Sequence, residues 1–272
     1  QIKSWIESCN DKDGRVHGRV MTLRTVTGRM AHNSPNMAQI PAVRSPYGKE
    51  CRECWTVDNP YTHSIVGTDA SGLELRCLAH LMDDAKFTEE VLNGDIHTAN
   101  MKMAGLTDRD QAKTFIYAFM YGAGASKIGK IVGAGAKEGQ ILIDRFLSNM
   151  PTLKKVRDSV TETAKRGKIR GIDGRLLYVR SPHSALNTLL QSAGAIVCKK
   201  WLVEFDRLMK PYSDVQQVVW VHDEIQVQVN AEWADIIGEK AVEAIEHVGE
   251  ELDLRIPLTG EYKIGNNWSE TH

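Results

Sequence analysis

The stretch from Val215 to Val229 constrains this fold more than any other part of the chain. Val218-Val-Trp-Val221 and Ile225-Gln-Val-Gln-Val229 are two apolar runs separated by His222-Asp223-Glu224. Ile225, Val227 and Val229 alternate with Gln226 and Gln228, giving one apolar and one polar face at the two-residue period of a strand. The pattern predicts an antiparallel hairpin with two adjacent acids at its turn.

The other periodic segments surround that hairpin with helices. His63-Ser-Ile-Val-Gly-Thr68 predicts a short buried strand running into Asp69, and Leu73 to Leu81 predicts a helix. Arg109 to Tyr121 is a helix opened by Thr107-Asp108 as a cap and closed by Gly122. Further helices are expected over Lys137–Leu147 and from Pro151 towards Arg166. Gly171 to Arg175 reads as a turn and Leu176 to Val179 as a strand. Ser184 to Met209 reads as a long helix with small residues at Ala193, Gly194 and Ala195. Trp233, Ile236, Ile237, Ala241, Ala244, Ile245 and Val248 form the apolar stripe of a last helix. Residues 14–66 read as loop-rich, with Gly, Pro and Asn punctuation. The expected class is α+β: a small, mainly antiparallel sheet with many helices.

Composition narrows the setting. The 272 residues are 42% hydrophobic and 25% charged, ordinary for a soluble globular protein with a sizeable core. No apolar run approaches the roughly 20 residues of a membrane span, and Gln1-Ile-Lys-Ser-Trp5 resembles neither a signal peptide nor an anchor. Five cysteines, with one Cys51-x-x-Cys54 pair, suggest free thiols in a reducing compartment. The net charge of −1 conceals an asymmetry. Leu153 to His183 carries nine Lys or Arg against three acids, and Ala231 to Glu261 carries nine acids against two bases. A basic face can hold a phosphate backbone, and two unrelated solvated helix faces would look the same.

Three clusters carry chemistry. Asp223 and Glu224 at a turn are compatible with a solvated turn or with a metal site, since hard cations prefer carboxylate oxygens. Asp69, at the end of an apolar strand, is either a helix cap or a second carboxylate in the same sheet. Two carboxylates so placed can hold two cations roughly 3.5–4 Å apart. Arg109, Lys113, Tyr117 and Tyr121 recur every four residues and so form one slowly drifting stripe. Two cations followed by two phenols suit a nucleoside triphosphate, with charge against phosphates and rings against sugar and base.

These residues resemble the family A, or DNA polymerase I-like, DNA polymerases, and within them the replicative enzymes of short-tailed phages. Asp69-Ala-Ser-Gly-Leu-Glu-Leu-Arg76 looks like motif A, Arg109-x3-Lys113-x7-Tyr121-Gly122 like motif B, and Val221-His-Asp-Glu224 like motif C. Thr27-Gly-Arg29 with Pro35-Asn-Met-Ala-Gln-Ile-Pro41, and the run from Arg180 to Gly194, are similar to palm segments of that family. The resemblance covers roughly residues 14–272. It implies a right-hand polymerase fold, with an antiparallel palm sheet and a mainly helical fingers subdomain, thumb and exonuclease missing. The implied division is 1–13 as a remnant of the thumb–palm junction, 14–76 as palm, 77–180 as fingers and 181–272 as palm.

The resemblance also implies roles. Asp69 and Asp223 would hold two Mg²⁺ ions with the Ala70 carbonyl, and Glu224 would be an accessory carboxylate. Arg109, Lys113 and His97 would contact the incoming triphosphate, with Lys113 placed to protonate the leaving pyrophosphate. Tyr117 would sit by the sugar, Glu74 beneath it, and Tyr121 at the insertion site. Arg29 and Gln191 would read minor-groove acceptors, and Asn187 and His222 would lie near the same duplex end. Primer-template DNA and dNTPs would be the partners, with a processivity factor engaged through a thumb absent from this sequence. The setting would be the cytoplasm of an infected bacterium, with no membrane involved. Two rivals remain: a single-subunit phage RNA polymerase, against which Glu74 argues as a barrier to a 2′-hydroxyl, and a DNA-binding remnant without activity.

Overall fold

The computed structural model describes residues 2–272. In chain order its elements are α1 (Ile2–Glu7), β1 (Arg19–Met21), β2 (Ala31–Asn33), α2 (Gly48–Glu53), β3 (His63–Ala70) and α3 (Leu73–Met82). Then follow α4 (Ala85–Leu92), α5 (Ile96–Ala104), α6 (Arg109–Met120), α7 (Ala125–Ile131), α8 (Ala136–Asn149) and α9 (Pro151–Ala164). The last are β4 (Lys168–Arg170), β5 (Leu176–Tyr178), α10 (Ala185–Met209), β6 (Gln216–Val221), β7 (Glu224–Asn230), α11 (Ala234–Glu251) and β8 (Gly260–Gly265). The chain divides into two compact units: one holds the chain up to Leu73 and from Gly194 to His272, the other Glu74–Ala193. Among the described residues, no helix is long and apolar enough to cross a membrane.

The first unit is built on a four-stranded antiparallel sheet in the order β6-β7-β3-β8. The expected hairpin is β6–β7, closed through His222 and Asp223 with Val221 paired to Glu224. Strand β3 pairs with β7 on one side and β8 on the other. Helix α11 covers one face. Its Ile237, Ala241, Ala244, Ile245 and Val248 are all buried, as their spacing predicts. Each isoleucine so buried contributes about 1.5–3 kcal/mol. Gly238 is required there, because a Cβ would lie 2.2 Å from the Tyr262 ring of β8. Trp201 of α10 is fully buried and donates its indole N–H to the Ala241 carbonyl at 2.7 Å.

The polar face of β7 is also buried, which its alternation alone does not reveal. Gln226 and Gln228 are 1% and 3% exposed. Gln228 exchanges two hydrogen bonds with Asp58, and Gln226 donates to Glu224 and accepts from the Thr271 hydroxyl. Burial of an amide is tolerable only when it is so paired. This lining continues into a core of Trp5, Met37, Ile40, Cys51 and Trp268.

The second unit is helical apart from the β4–β5 hairpin. Phe115 and Phe119 of α6 meet Phe146 of α8 edge to face, with ring centroids 5.0 and 5.5 Å apart. Beneath the hairpin, Ile169 and Leu177 pack with Ala164, Ala185 and Leu189. Helices α4 and α5 begin at aspartate caps: Asp84 accepts from the Lys86 and Phe87 amides, and Asp95 from those of His97 and Thr98. All five cysteines are free thiols. Cys51 is buried in α2, and Cys54, just past its end, lies close to the Glu50 carbonyl of that helix.

Candidate active site

In the first unit the two predicted acids come together because β3 and β7 are paired. Asp69 stands opposite Glu224 in the β3–β7 ladder and opposite Glu261 in the β3–β8 ladder. The Ala70 amide donates to the Asp223 carbonyl at 3.0 Å, tying the end of β3 to the hairpin turn. His222, the first residue of that turn, has a φ of 56°, which tight hairpin turns often demand and glycine usually supplies. The Asp69 side chain is exposed at the sheet end. Protein crowding strips water from its carboxyl, and the charges of Asp223, Glu224 and Glu261 repel its ionised form; together they push its pKa up from 3.8 to about 7.

Glu224 is different in kind. It is 5% exposed. Its Oε1 accepts from the Gln226 amide at 2.8 Å and from the Trp268 indole, and its Oε2 meets His272 Nδ1 at 3.1 Å. Arg52, itself buried, approaches Oε1 to 3.7 Å and lies 4.4 Å over the Trp268 ring. Burial alone would raise this pKa, but the His272 and Trp268 hydrogen bonds and the Arg52 charge outweigh it and hold Glu224 below the ordinary glutamate range. The sequence marked Glu224 as a site residue but gave no sign of Arg52, Trp268 or His272 around it, since all three lie far away along the chain.

Among the described residues, no group of three or more His, Cys, Asp or Glu is gathered closely enough to hold a metal ion. Asp69 and Asp223 form a mutually repelling carboxylate pair that a cation would relieve. Hard oxygen donors in small number fit Mg²⁺, which keeps several waters and takes the rest of its shell from substrate phosphates. Also in this unit, Arg29 and His222 line one small hollow with Trp220, Gly194, Ala195 and Cys198.

The second unit carries the stripe. Arg109 opens α6 behind the Asp108 cap and is exposed, as is Lys113. The Tyr117 ring lies 6.2 Å from that of His97 and 6.3 Å from that of Tyr121. The Tyr121 hydroxyl donates to Glu74 at 3.0 Å, joining two predicted site residues. Burial lowers the His97 pKa, and the Lys113 and Arg109 charges lower it further, with Asp95 only partly opposing them. Asn187 and Gln191 lie half-buried along α10, and Gly122 (φ 76°) lies against His183 and Asn187. Asp95 escaped attention in the sequence as anything but the neighbour of His97. It binds Arg109 through Nε at 2.8 Å and Nη2 at 3.0 Å.

Residues 1–270 match the model of DNA polymerase family A. The chain belongs to that family. It is 44% identical over 304 aligned residues to the "DNA-directed DNA polymerase" of Enterobacteria phage T3, covering 99% of this chain and 43% of the relative. Identity and coverage are the same for the protein of that name from Escherichia phage T7. The thermostable DNA polymerase I of Thermus aquaticus is 29% identical over 280 residues, covering 94% of this chain and 33% of the relative. The chain therefore spans less than half the length of these relatives. The fold superposes with a TM-score of 0.89 on the POL domain of Pol1 from M. smegmatis, solved in complex with DNA primer-template and dNTP. That likeness covers 99% of this chain and 50% of the other at 22% identity, and concerns fold.

Proposed function

We propose that this family A chain carries the centre of a template-directed DNA polymerase, joining a dNTP to a primer 3′-hydroxyl with release of pyrophosphate. The observation that carries the reading is the Asp69–Asp223 carboxylate pair, brought together where the Ala70 amide ties the end of β3 to the β6–β7 turn; lost hydration first, and then the Asp223 charge, disfavour the ionised form of Asp69. Two bound Mg²⁺ would supply a lowered hydroxyl pKa and neutralisation of phosphate charge. Asp69 and Asp223, with the Ala70 carbonyl, are the residues that would hold them. Glu224, opposite Asp69 in the β3–β7 ladder, is the accessory carboxylate; its oxygens are engaged by Trp268, Gln226 and His272.

Arg109, Lys113 and His97 take the triphosphate through charge-assisted hydrogen bonds. Lys113 gives a proton to the leaving pyrophosphate. Tyr117 faces the sugar, and Tyr121 marks the insertion site. Glu74, held by the Tyr121 hydroxyl, bars a 2′-hydroxyl. Arg29 and Gln191 contact minor-groove acceptors, which vary little among correct pairs and so suit an enzyme that copies any sequence. Asn187 and His222 act at the duplex end. Primer-template DNA and dNTPs are the proposed substrates. The proposed setting is phage replication in the cytoplasm of an infected bacterium, with a processivity partner engaged through a thumb.

The test is primer extension with Mg²⁺ on templates that differ in one base. The reading predicts addition of the complementary dNTP and strong discrimination against rNTPs. Equal use of rNTPs would favour an RNA polymerase, and DNA binding without extension would favour a remnant.

A further inference from the structure

Five hydrogen bonds converge on the carboxylate of Asp95. Oδ1 accepts from the His97 and Thr98 amides at 3.1 and 3.2 Å and from Arg109 Nη2 at 3.0 Å. Oδ2 accepts from the Thr98 hydroxyl at 2.7 Å and from Arg109 Nε at 2.8 Å. One side chain therefore caps α5 in the turn that carries His97 and also grips the first residue of α6 in a two-point fork. We infer that Asp95 is a positioning residue for the triphosphate: it sets the plane of the Arg109 guanidinium and the place of His97 at once. The inference rests on the polymerase reading, which assigns the triphosphate to Arg109, Lys113 and His97.

Two observations favour positioning over a stability role. The pair is half exposed, at 51% for Arg109 and 44% for Asp95, and solvent-exposed ion pairs add little to folding. The fork uses two of the five guanidinium N–H groups and leaves three for phosphate oxygens. A bidentate carboxylate fixes the direction in which those three point.

Charge makes the idea testable by sign. Arg109 and Lys113 are cationic, and Asp95 subtracts one charge from their neighbourhood. If only net charge mattered, removing the Asp95 charge would tighten an anionic ligand. Positioning predicts the opposite.

The experiment uses Asp95→Asn and, as a second variant, Asp95→Ser in the full chain. Both residues remain good N-caps for α5, so folding is retained, and neither holds the charged fork. The KM for dNTP in primer extension, and dNTP binding in Mg²⁺, should weaken about tenfold with kcat within about twofold. In an Arg109→Gln background, Asp95→Asn should weaken binding less than about twofold further: asparagine keeps the α5 cap and with it the place of His97, so what the substitution loses passes through Arg109. An unchanged or lower KM in either variant, or the full loss repeated without Arg109, overturns the inference. A wild-type chain that fails to bind dNTP removes the polymerase reading and this inference with it. A wild-type chain that binds, with variants that bind equally well, removes the role of Asp95 alone.

Discussion

Asp69→Asn is expected to stabilise the metal-free protein at pH 8 and to lose that advantage as the pH falls. The folded-state pKa of Asp69 is raised from 3.8 to about 7, first by lost hydration and then by Asp223, Glu224 and Glu261. In the folded protein the ionised form is therefore disfavoured, and the penalty is complete above pH 7. Between about 7 and 4 the folded chain takes up a proton before the unfolded chain does, so the penalty drains away as pH falls. A rise of that size would correspond to about 4 kcal/mol in full. Solvent reaches the exposed Asp69 side chain and screens its neighbours, so we take about 1–2 kcal/mol as the realistic share. For a chain of this size the midpoint of thermal unfolding should rise by about 2–6 °C. The assay is unfolding of wild type and Asp69→Asn in a chelator at pH 8 and at pH 4.5, then in excess Mg²⁺ at pH 8. Mg²⁺ should raise the wild-type midpoint and leave the variant unmoved. A variant less stable than wild type at pH 8, or one whose gain is the same at both pH values, would refute the reasoning.

Other expectations are smaller in scope. Gly67→Ala should lower stability by about 1–3 kcal/mol in urea unfolding, because its Cβ would lie 2.4 Å from the Gln226 amide and 2.5 Å from the Thr271 carbonyl. Glu224→Gln should destabilise by about 2–4 kcal/mol, since it leaves Arg52 charged and buried beside Trp268; circular dichroism melts will measure it. Tyr117→Phe should reduce acceptance of dideoxynucleotides in a chain-termination assay, and an unchanged termination pattern would count against placing Tyr117 by the sugar.

The sequence-based reading of the fold succeeded where one face is apolar at a regular period. Helix α11 follows from side-chain spacing because burial of a single stripe dominates its energetics, and the β6–β7 hairpin was legible from the alternation of β7 even though both faces of that strand are buried. It missed β8, where Glu261 and Lys263 flank Tyr262 and no apolar run marks a strand; what makes it one is pairing with β3. It missed α4 and α5, which are eight and nine residues long and start from aspartate caps rather than from a long periodic stripe. At the candidate site, Asp69 and Asp223 stood out because acids interrupt apolar strands. The pairing that brings them together is a tertiary fact. The surroundings of Glu224 were unreadable for the same reason, since Arg52, Trp268 and His272 reach it from separate parts of the chain. Asp95 was not singled out in the sequence either: its grip on Arg109, fourteen residues further on, depends on how α5 and α6 meet.

The central claim is that Asp69 and Asp223 hold the ions for nucleotide transfer. The most direct measurement is single-turnover addition of one correct dNTP by wild type, Asp69→Asn and Asp223→Asn, with dNTP affinity measured alongside. The account predicts that each variant still folds and binds primer-template, while its rate of addition falls by at least about 10²–10³-fold. A rate within about tenfold of wild type in either variant would contradict it.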